Sequence, residues 1–318
     1  MGAVAEETAG VPAEPTGPSR QVSEKRQARR EKARLFFRSP SALIGLFIIF
    51  IWVVCAIGGD RITPDDPFSI MGMSHLPPGS PGHLLGTDKN GSDILSRIMY
   101  GARDVLVAAP LAAVLGVALG SLLGLLMGYY RGYLDEVLGL VISAFMALPL
   151  VLVGLLALAA APPDPPSIGG VDLVIPGIEW STEVVIIVIG LLFAPIVART
   201  VRAAVLSERE NDYVQAAKLR GESGVYIMAR EILPNVTSPI VVEFTVRIGY
   251  AIFAIAFLSF IGVGIQPPTP DWGLMISDEY HFIIGGYWWG TVFPAIAIAS
   301  LVIAVNLIAD RLQEVMEL

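Results

Sequence analysis

Long apolar runs dominate the chain, and alternation between apolar and polar positions is missing. A membrane-spanning helix needs about 20 mostly apolar residues. Positions 39–59, 105–130 and 137–163 each form a run without Asp, Glu, Lys or Arg. The run at 184–198 is shorter, and it reaches Leu206 if Arg199 and Arg202 extend their charges toward headgroups. Residues 248–264 are clean but need 236–247 in front to reach full length, and 291–309 is the last run. The pattern predicts six transmembrane helices. The runs are too long for barrel strands and lack the required alternation. The first run is also too long, and begins too far from the N-terminus, for a cleaved signal peptide.

Composition agrees with this class. The 318 residues are 54% hydrophobic and only 16% charged, against about 25% charged in soluble domains. A single cysteine, Cys55, excludes a disulfide framework and a Cys-rich metal site. The net charge of −8 argues against a nucleic-acid partner. That net figure conceals an asymmetry. With the N-terminus inside, sixteen Lys and Arg fall in the tail 1–38, the two inward connections and the C-terminus 311–318. Four (Arg61, Lys89, Arg97 and Arg103) fall outside, and Arg247 lies within a span. The positive-inside rule then makes both termini cytoplasmic.

The connections differ in character. Residues 1–19 read as a disordered tail, and 20–38 as a basic helix on the cytoplasmic membrane surface. The outside connection 60–102 is dense in Pro and Gly. A second, 164–182, carries PPDPPSIGG and should be irregular; the third, 265–290, carries QPPTPDWG and then Tyr287, Trp288 and Trp289, which suit an interfacial belt. The inside connection 207–235 is too long for a tight turn. Val214, Gln215, Ala216, Ala217, Lys218, Leu219 and Arg220 are helix-compatible, Asn211 or Asp212 can cap them, and Gly221 lets the backbone break. Pro234 marks the start of the next span. A short amphipathic helix between two spans is placed to dock in a groove of a soluble partner.

This connection resembles the signature loop of ABC-type importer permeases: Glu-Ala-Ala, three residues, Gly, nine residues, Ile, one residue, Leu-Pro. Gln215-Ala216-Ala217, Gly221 and Leu233-Pro234 fill the pattern. Gln215 stands in place of the Glu, and Glu231 in place of the Ile. Further pieces resemble the C-type branch of the dipeptide/oligopeptide/nickel permeases: RSPSALIGL at 38–46, HLLGTDKNGSDILSRIMYGAR at 83–103, LSFIGVGIQPPTPDWG at 258–273 and FPAIAIASLVIAVNLIADRL at 293–312. The resemblance implies the type I importer permease fold, with a permease core at 103–310. It also implies a role as the membrane pore subunit of an ATP-driven importer of short peptides, in the bacterial cytoplasmic membrane. The implied partners are a second homologous permease, two cytoplasmic ATPases that bind ATP and Mg, and an external binding protein. Asp212, Tyr213, Gln215, Ala216, Ala217, Leu219, Gly221, Leu233 and Pro234 would then form the ATPase-coupling segment. Nickel or another small solute is the nearest alternative cargo.

Chemistry of its own is not evident in the chain. No Walker A sequence occurs, so ATP hydrolysis belongs to another polypeptide, and HExxH and G-x-S-x-G are missing too. An intramembrane enzyme would need a catalytic pair at matching depth, and none is visible. A non-transport scaffold would explain the spans but not the docking loop. His75, His83 and His281 map outside, without carboxylates in register, and read as solvated or structural rather than as metal ligands. Glu243 and Arg247, four apart, share a helix face. They either line a translocation route or pair near the headgroups. Asp310 and Arg311 suit either an ATPase contact or an ordinary helix end. Gly116, Gly120, Gly124 and Gly128 make a smooth face for close helix packing.

Overall fold

A computed structural model describes residues 31–317 apart from 33, 71, 72, 169, 170, 173 and 177. The expected tail 1–19, and the basic segment up to residue 30, lie outside the described residues. The first helix, α1 (Pro40–Gly58), starts with a proline whose missing N–H would be unpaired at that position anyway. Helix α2 (Ile94–Tyr130) begins well before the expected 105, because Asp93 caps it: the carboxylate accepts from the Ser96 N–H at 2.8 Å. Its 37 residues span about 55 Å, so it stands out beyond a hydrocarbon core of about 30 Å.

The expected third span is broken. It consists of α3 (Gly132–Met146) and α4 (Leu150–Ala159), with a bend of 88° between them. Pro149 supplies the reason: it has no N–H to donate and disfavours helical backbone at Leu148. The outside connection that should be irregular carries a two-residue antiparallel ribbon, β1 (Ser167–Ile168) with β2 (Val171–Asp172), Ser167 opposite Asp172. Helix α5 (Trp180–Glu208) covers the fourth run and includes the extension past Arg199 and Arg202. Then follow α6 (Asp212–Leu219), a helical turn at Gly224–Tyr226 running into a wider turn at Ile227–Ile232, and α7 (Thr237–Ile261). The fifth span therefore starts three residues after Pro234. Helix α8 (Trp272–Glu279) and a 3-10 turn (Tyr280–Gly285) order much of the third outside connection. Helix α9 (Trp289–Glu317) continues through the expected C-terminal tail.

Five of these helices are long and apolar enough to cross a membrane, six spans if the bent α3–α4 pair counts as one. The centre of the bundle is the α2–α5 pair. Gly116 faces Gly190 and Phe193, Gly120 faces Ala194 and Val197, Gly124 faces Ala198 and Val201, and Gly128 faces Val205. The rising numbers on both sides show that α2 and α5 run parallel. A Cβ on any of these four glycines would come within 2.8 Å of α5 atoms. In lipid, where helices gain no hydrophobic drive toward each other, such close backbone approach is the main attraction.

Parallel α2 and α5 require the chain to return along the bundle between them, and α3–α4 makes that return. Gly139 lies near Met127, Gly154 near Leu192, and Pro162 accepts from Trp180 Nε1 at 3.0 Å. The two ends of the described chain meet at one end of the bundle: Lys32 Nζ donates to the Met316 carbonyl at 3.4 Å, and Arg311 Nη2 to the Leu35 carbonyl at 2.9 Å. At the other end, three indoles tie elements together. Trp272 Nε1 donates to the Ile98 carbonyl at 2.9 Å, Trp289 Nε1 to that of Thr87 at 3.1 Å, and Trp52 Nε1 to Ser300 Oγ at 3.0 Å.

That same end corrects the histidine reading. His75 Nε2 lies 3.3 Å from Glu279, and His83 Nδ1 lies 3.0 Å from Asp93, so both have carboxylate partners from segments that the sequence pattern does not align. Burial pushes the Glu279 carboxyl up from its ordinary value. The His281 ring lies tilted against that of Tyr280. Among the described residues, no group of three His, Cys, Asp or Glu side chains is arranged to hold a metal ion.

Candidate functional site

The short helix α6 is anchored by one face and open on the other. Val214 and Ala217, three apart, are fully buried. They pack with Val205 of α5 and with Ile227, Ile232 and Val236 of the following turns. Asp212, Tyr213, Ala216 and Leu219 face outward, with Leu219 90% exposed. Asn211 occupies the cap position, but its side chain makes no capping bond.

Polar contacts fix the helix to the bundle end. Gln215 Nε2 donates to the Arg209 carbonyl at 3.0 Å. Arg209 Nη1 donates in turn to the carbonyls of Tyr129 (2.7 Å) and Gly128 (3.2 Å), which close α2. Gln215 therefore serves as a local brace, a role that the amide of Gln fills and a carboxylate could not. The Tyr213 hydroxyl donates to Glu208 and accepts from Asn235 Nδ2 at 3.0 Å. Burial, and then the carboxylate of Glu208, hold the phenol proton, so the Tyr213 pKa is pushed up to about 12.

Gly221 has φ +78°, a left-handed conformation that ends α6 and turns the chain toward the bundle. Ser223 then caps the next turn by accepting from the Tyr226 N–H at 3.2 Å. Gly224 rests against the rings of Tyr129 and Tyr130; a Cβ there would stand 3.0 Å from Tyr129. Ile232 is buried, Leu233 half-buried and Pro234 exposed. The structure thus gathers the nine singled-out residues into one motif but splits their work. Ala217, Gln215, Gly221 and Leu233 shape and anchor it, Asp212, Tyr213, Ala216 and Leu219 present its surface, and the exposed Pro234 precedes α7. Val225 (68% exposed) and Tyr226 extend that apolar surface, and sequence reasoning missed them because they follow the Gly break.

Glu243 and Arg247 form the second group. Arg247 Nη2 and Nε reach one Glu243 oxygen at 2.6 and 3.0 Å, and Thr200 Oγ1 donates to the other at 2.8 Å. The guanidinium also lies over the rings of Tyr250 (5.4 Å) and Phe193 (5.7 Å). Arg247 borders a cavity of about 560 Å³ between α4, α5 and α7, otherwise walled by apolar side chains such as Leu192, Phe193, Phe253 and Phe257. Glu243 stands about 9 Å and Arg247 about 15 Å along α7 from its start, with Arg247 level with Phe193 near the middle of α5.

With this geometry in hand, the comparisons decide the family. The family described as "binding-protein-dependent transport system inner membrane component" matches residues 120–317. The chain belongs to that family. It is similar to the dipeptide transport system permease protein DppC of Escherichia coli, with 39% identity over 288 residues, 89% of this chain and 90% of that one. The DppC proteins of Haemophilus influenzae (34% identity; 89% of this chain, 92% of the relative) and Bacillus subtilis (32%; 88% and 82%) match over a similar length. The family match covers all of the α6 motif, the Glu243–Arg247 pair and α9, and the chain is a multi-pass membrane protein.

Proposed function

We propose that this protein is a pore-forming permease subunit of an ATP-driven importer of short peptides. The observation that carries the reading is the similarity to dipeptide permeases along about nine-tenths of the chain. In this reading the α3–α4 pair counts as the third of six spans, and both termini face the cytoplasm of a bacterium. A second permease completes the pore, an external binding protein delivers the peptide, and two ATPases hold ATP and Mg. The chain itself is not catalytic.

Mechanically, α6 serves as the coupling knob. Its buried face transmits force because Val214 and Ala217 are locked into the same cluster as α5 and the start of α7. Movement of α6 therefore moves the inner ends of two spans together. Alternating access requires the ATP-bound and solute-bound states to favour different arrangements of those spans. Arg247 borders the cavity on the moving helix, held there by Glu243, and the pair lines the translocation route.

The test is uptake into liposomes containing the purified complex. Labelled dipeptide is expected to accumulate only with ATP and binding protein present. Accumulation of nickel with no dipeptide uptake would overturn the choice of solute.

A further inference from the structure

Among the described residues, Arg247 is the one charged side chain in the wall of the cavity between α4, α5 and α7, and it is only 8% exposed. A guanidinium so enclosed is costly unless its N–H groups are met. Glu243 takes Nε and Nη2, and Nη1 has no hydrogen-bond partner among the described residues. Glu243 itself is fully engaged: one oxygen accepts from Arg247, the other from Thr200 Oγ1, and it is not part of the cavity wall. The guanidinium lies over the rings of Tyr250 and Phe193, which both line the cavity. Tyr250, three residues further along α7, is the other polar side chain in that wall. The cavity therefore meets a cation with unmatched donors and no anion.

These properties define what fits. A volume of about 560 Å³ is that of a small-molecule site. Val151, Ile189, Leu192, Phe253 and Phe257 offer apolar contact only, which favours a guest with an apolar body. The unmatched N–H groups favour a negatively charged acceptor, and a carboxylate suits the planar fork of Arg. No carboxylate in the wall answers an ammonium. The complementary molecule is an apolar body that ends in one carboxylate.

We propose that this cavity is a transit site for short apolar peptides, in which Arg247 holds the C-terminal carboxylate. The subunit itself then selects a free C-terminus and is indifferent to the N-terminus. The proposal rests on the reading of the chain as a peptide permease and adds the group that is recognised. Glu243 keeps the hold weak, because it competes with the peptide for the same guanidinium. A route has to bind loosely enough for its cargo to leave. A medium-chain fatty acid shares the apolar body and the carboxylate, so the test separates the two sources.

Saturation-transfer NMR on the full complex in nanodiscs, without binding protein or ATP, reads such weak binding directly. The probes are alanyl-phenylalanine, its N-acetyl form, its C-terminal amide, and decanoate. The dipeptide and its N-acetyl form are expected to bind alike, and the amide more weakly by about tenfold or more. In the double variant Glu243→Gln with Arg247→Gln, which leaves no unpaired charge behind, the preference for acid over amide should vanish. In Glu243→Gln alone the guanidinium loses its competitor, and the dipeptide should bind more tightly. An amide that binds the wild type as well as the acid does, or a preference that survives in the double variant, overturns the proposal. Binding of decanoate without binding of the dipeptide overturns it in favour of a fatty-acid site. Uptake of labelled dipeptide into liposomes is scored separately. Uptake without discrimination between acid and amide removes this inference and leaves the peptide reading standing, whereas a lack of uptake overturns that reading itself.

Discussion

Ala217 and Gly221 sit nine and thirteen residues past the end of α5 yet tolerate little change, for different reasons. Ala217 is fully buried against α5 and the turns after α6. An Asp there buries a carboxylate with no partner, at a cost of several kcal/mol. Gly221, at φ +78°, cannot be matched by proline, whose ring holds φ near about −65°. Ala217→Asp and Gly221→Pro are therefore expected to reduce peptide uptake and solute-stimulated ATP turnover at least about tenfold, a loss of about 1.4 kcal/mol, while the spans still insert. Normal stimulated turnover in both would refute the coupling role. Within the bundle, the Glu243–Arg247 pair is mutually dependent. Arg247→Gln leaves a buried carboxylate held only by Thr200, and loss of one partner costs about 3–5 kcal/mol. Glu243→Gln and Arg247→Gln should each lower uptake; wild-type assembly and uptake in both would remove the pair from the route. Asp271 gives a pH signature. Burial pushes its carboxyl up to about 6, against the opposing pull of the Leu274 N–H bond, and the nearby Asp104 raises it further. An acid with a raised folded pKa binds more protons in the folded state, so its contribution to stability is fullest below about 4 and is lost as pH rises through about 6. Asp271→Asn keeps the cap and removes that loss. Its thermal midpoint should exceed that of wild type by more at pH 8 than at pH 5, and an equal difference at both would contradict the assignment.

Among the elements, the α2–α5 contact is the most sensitive to volume. A Cβ at Gly124 would meet the Ala198 carbonyl at 2.8 Å and the Arg202 nitrogen at 2.9 Å, both backbone atoms that cannot turn aside. Gly124→Ala is expected to cost about 1–3 kcal/mol by overpacking, seen as a lower thermal midpoint in detergent. Gly139→Ala on α3 is the matched control, because its nearest atom, Met127 Cε, lies at an ordinary 3.8 Å. Equal stability of the two variants would mean that the glycine stripe does not set the helix spacing. The same contact explains the tolerance of Pro110 inside α2. The long helix is held along its length by α5, so loss of one internal hydrogen bond need not break it.

Across the molecule, the parallel α2–α5 pair, the α3–α4 return and the meeting of Lys32 with Met316 define a bundle with both ends of the described chain on one side. Much of this was legible in the chain. Five runs became single long helices because apolar length alone commits a segment to span. The glycine repeat announced close packing, and the α6 segment was found from helix formers followed by a glycine. The rest depended on contacts that local pattern does not carry. The cap at Asp93 moved the start of α2, Pro149 split the third run, and His75 met Glu279 across two hundred residues of chain. The division of α6 into anchor and surface was half visible in the Val214–Ala217 spacing, while Val225 and Tyr226 become part of that surface only once Gly221 has turned the chain. The central claim is that a separate ATPase grips the exposed side of α6. Cys55 is buried, so a single introduced thiol can report. In the assembled complex, Leu219→Cys is expected to cross-link to the ATPase subunit, and Ile284→Cys, 97% exposed at the opposite end of the bundle, is not. A freely labelled thiol at position 219 in the working complex, with no cross-link to the ATPase, would contradict the account.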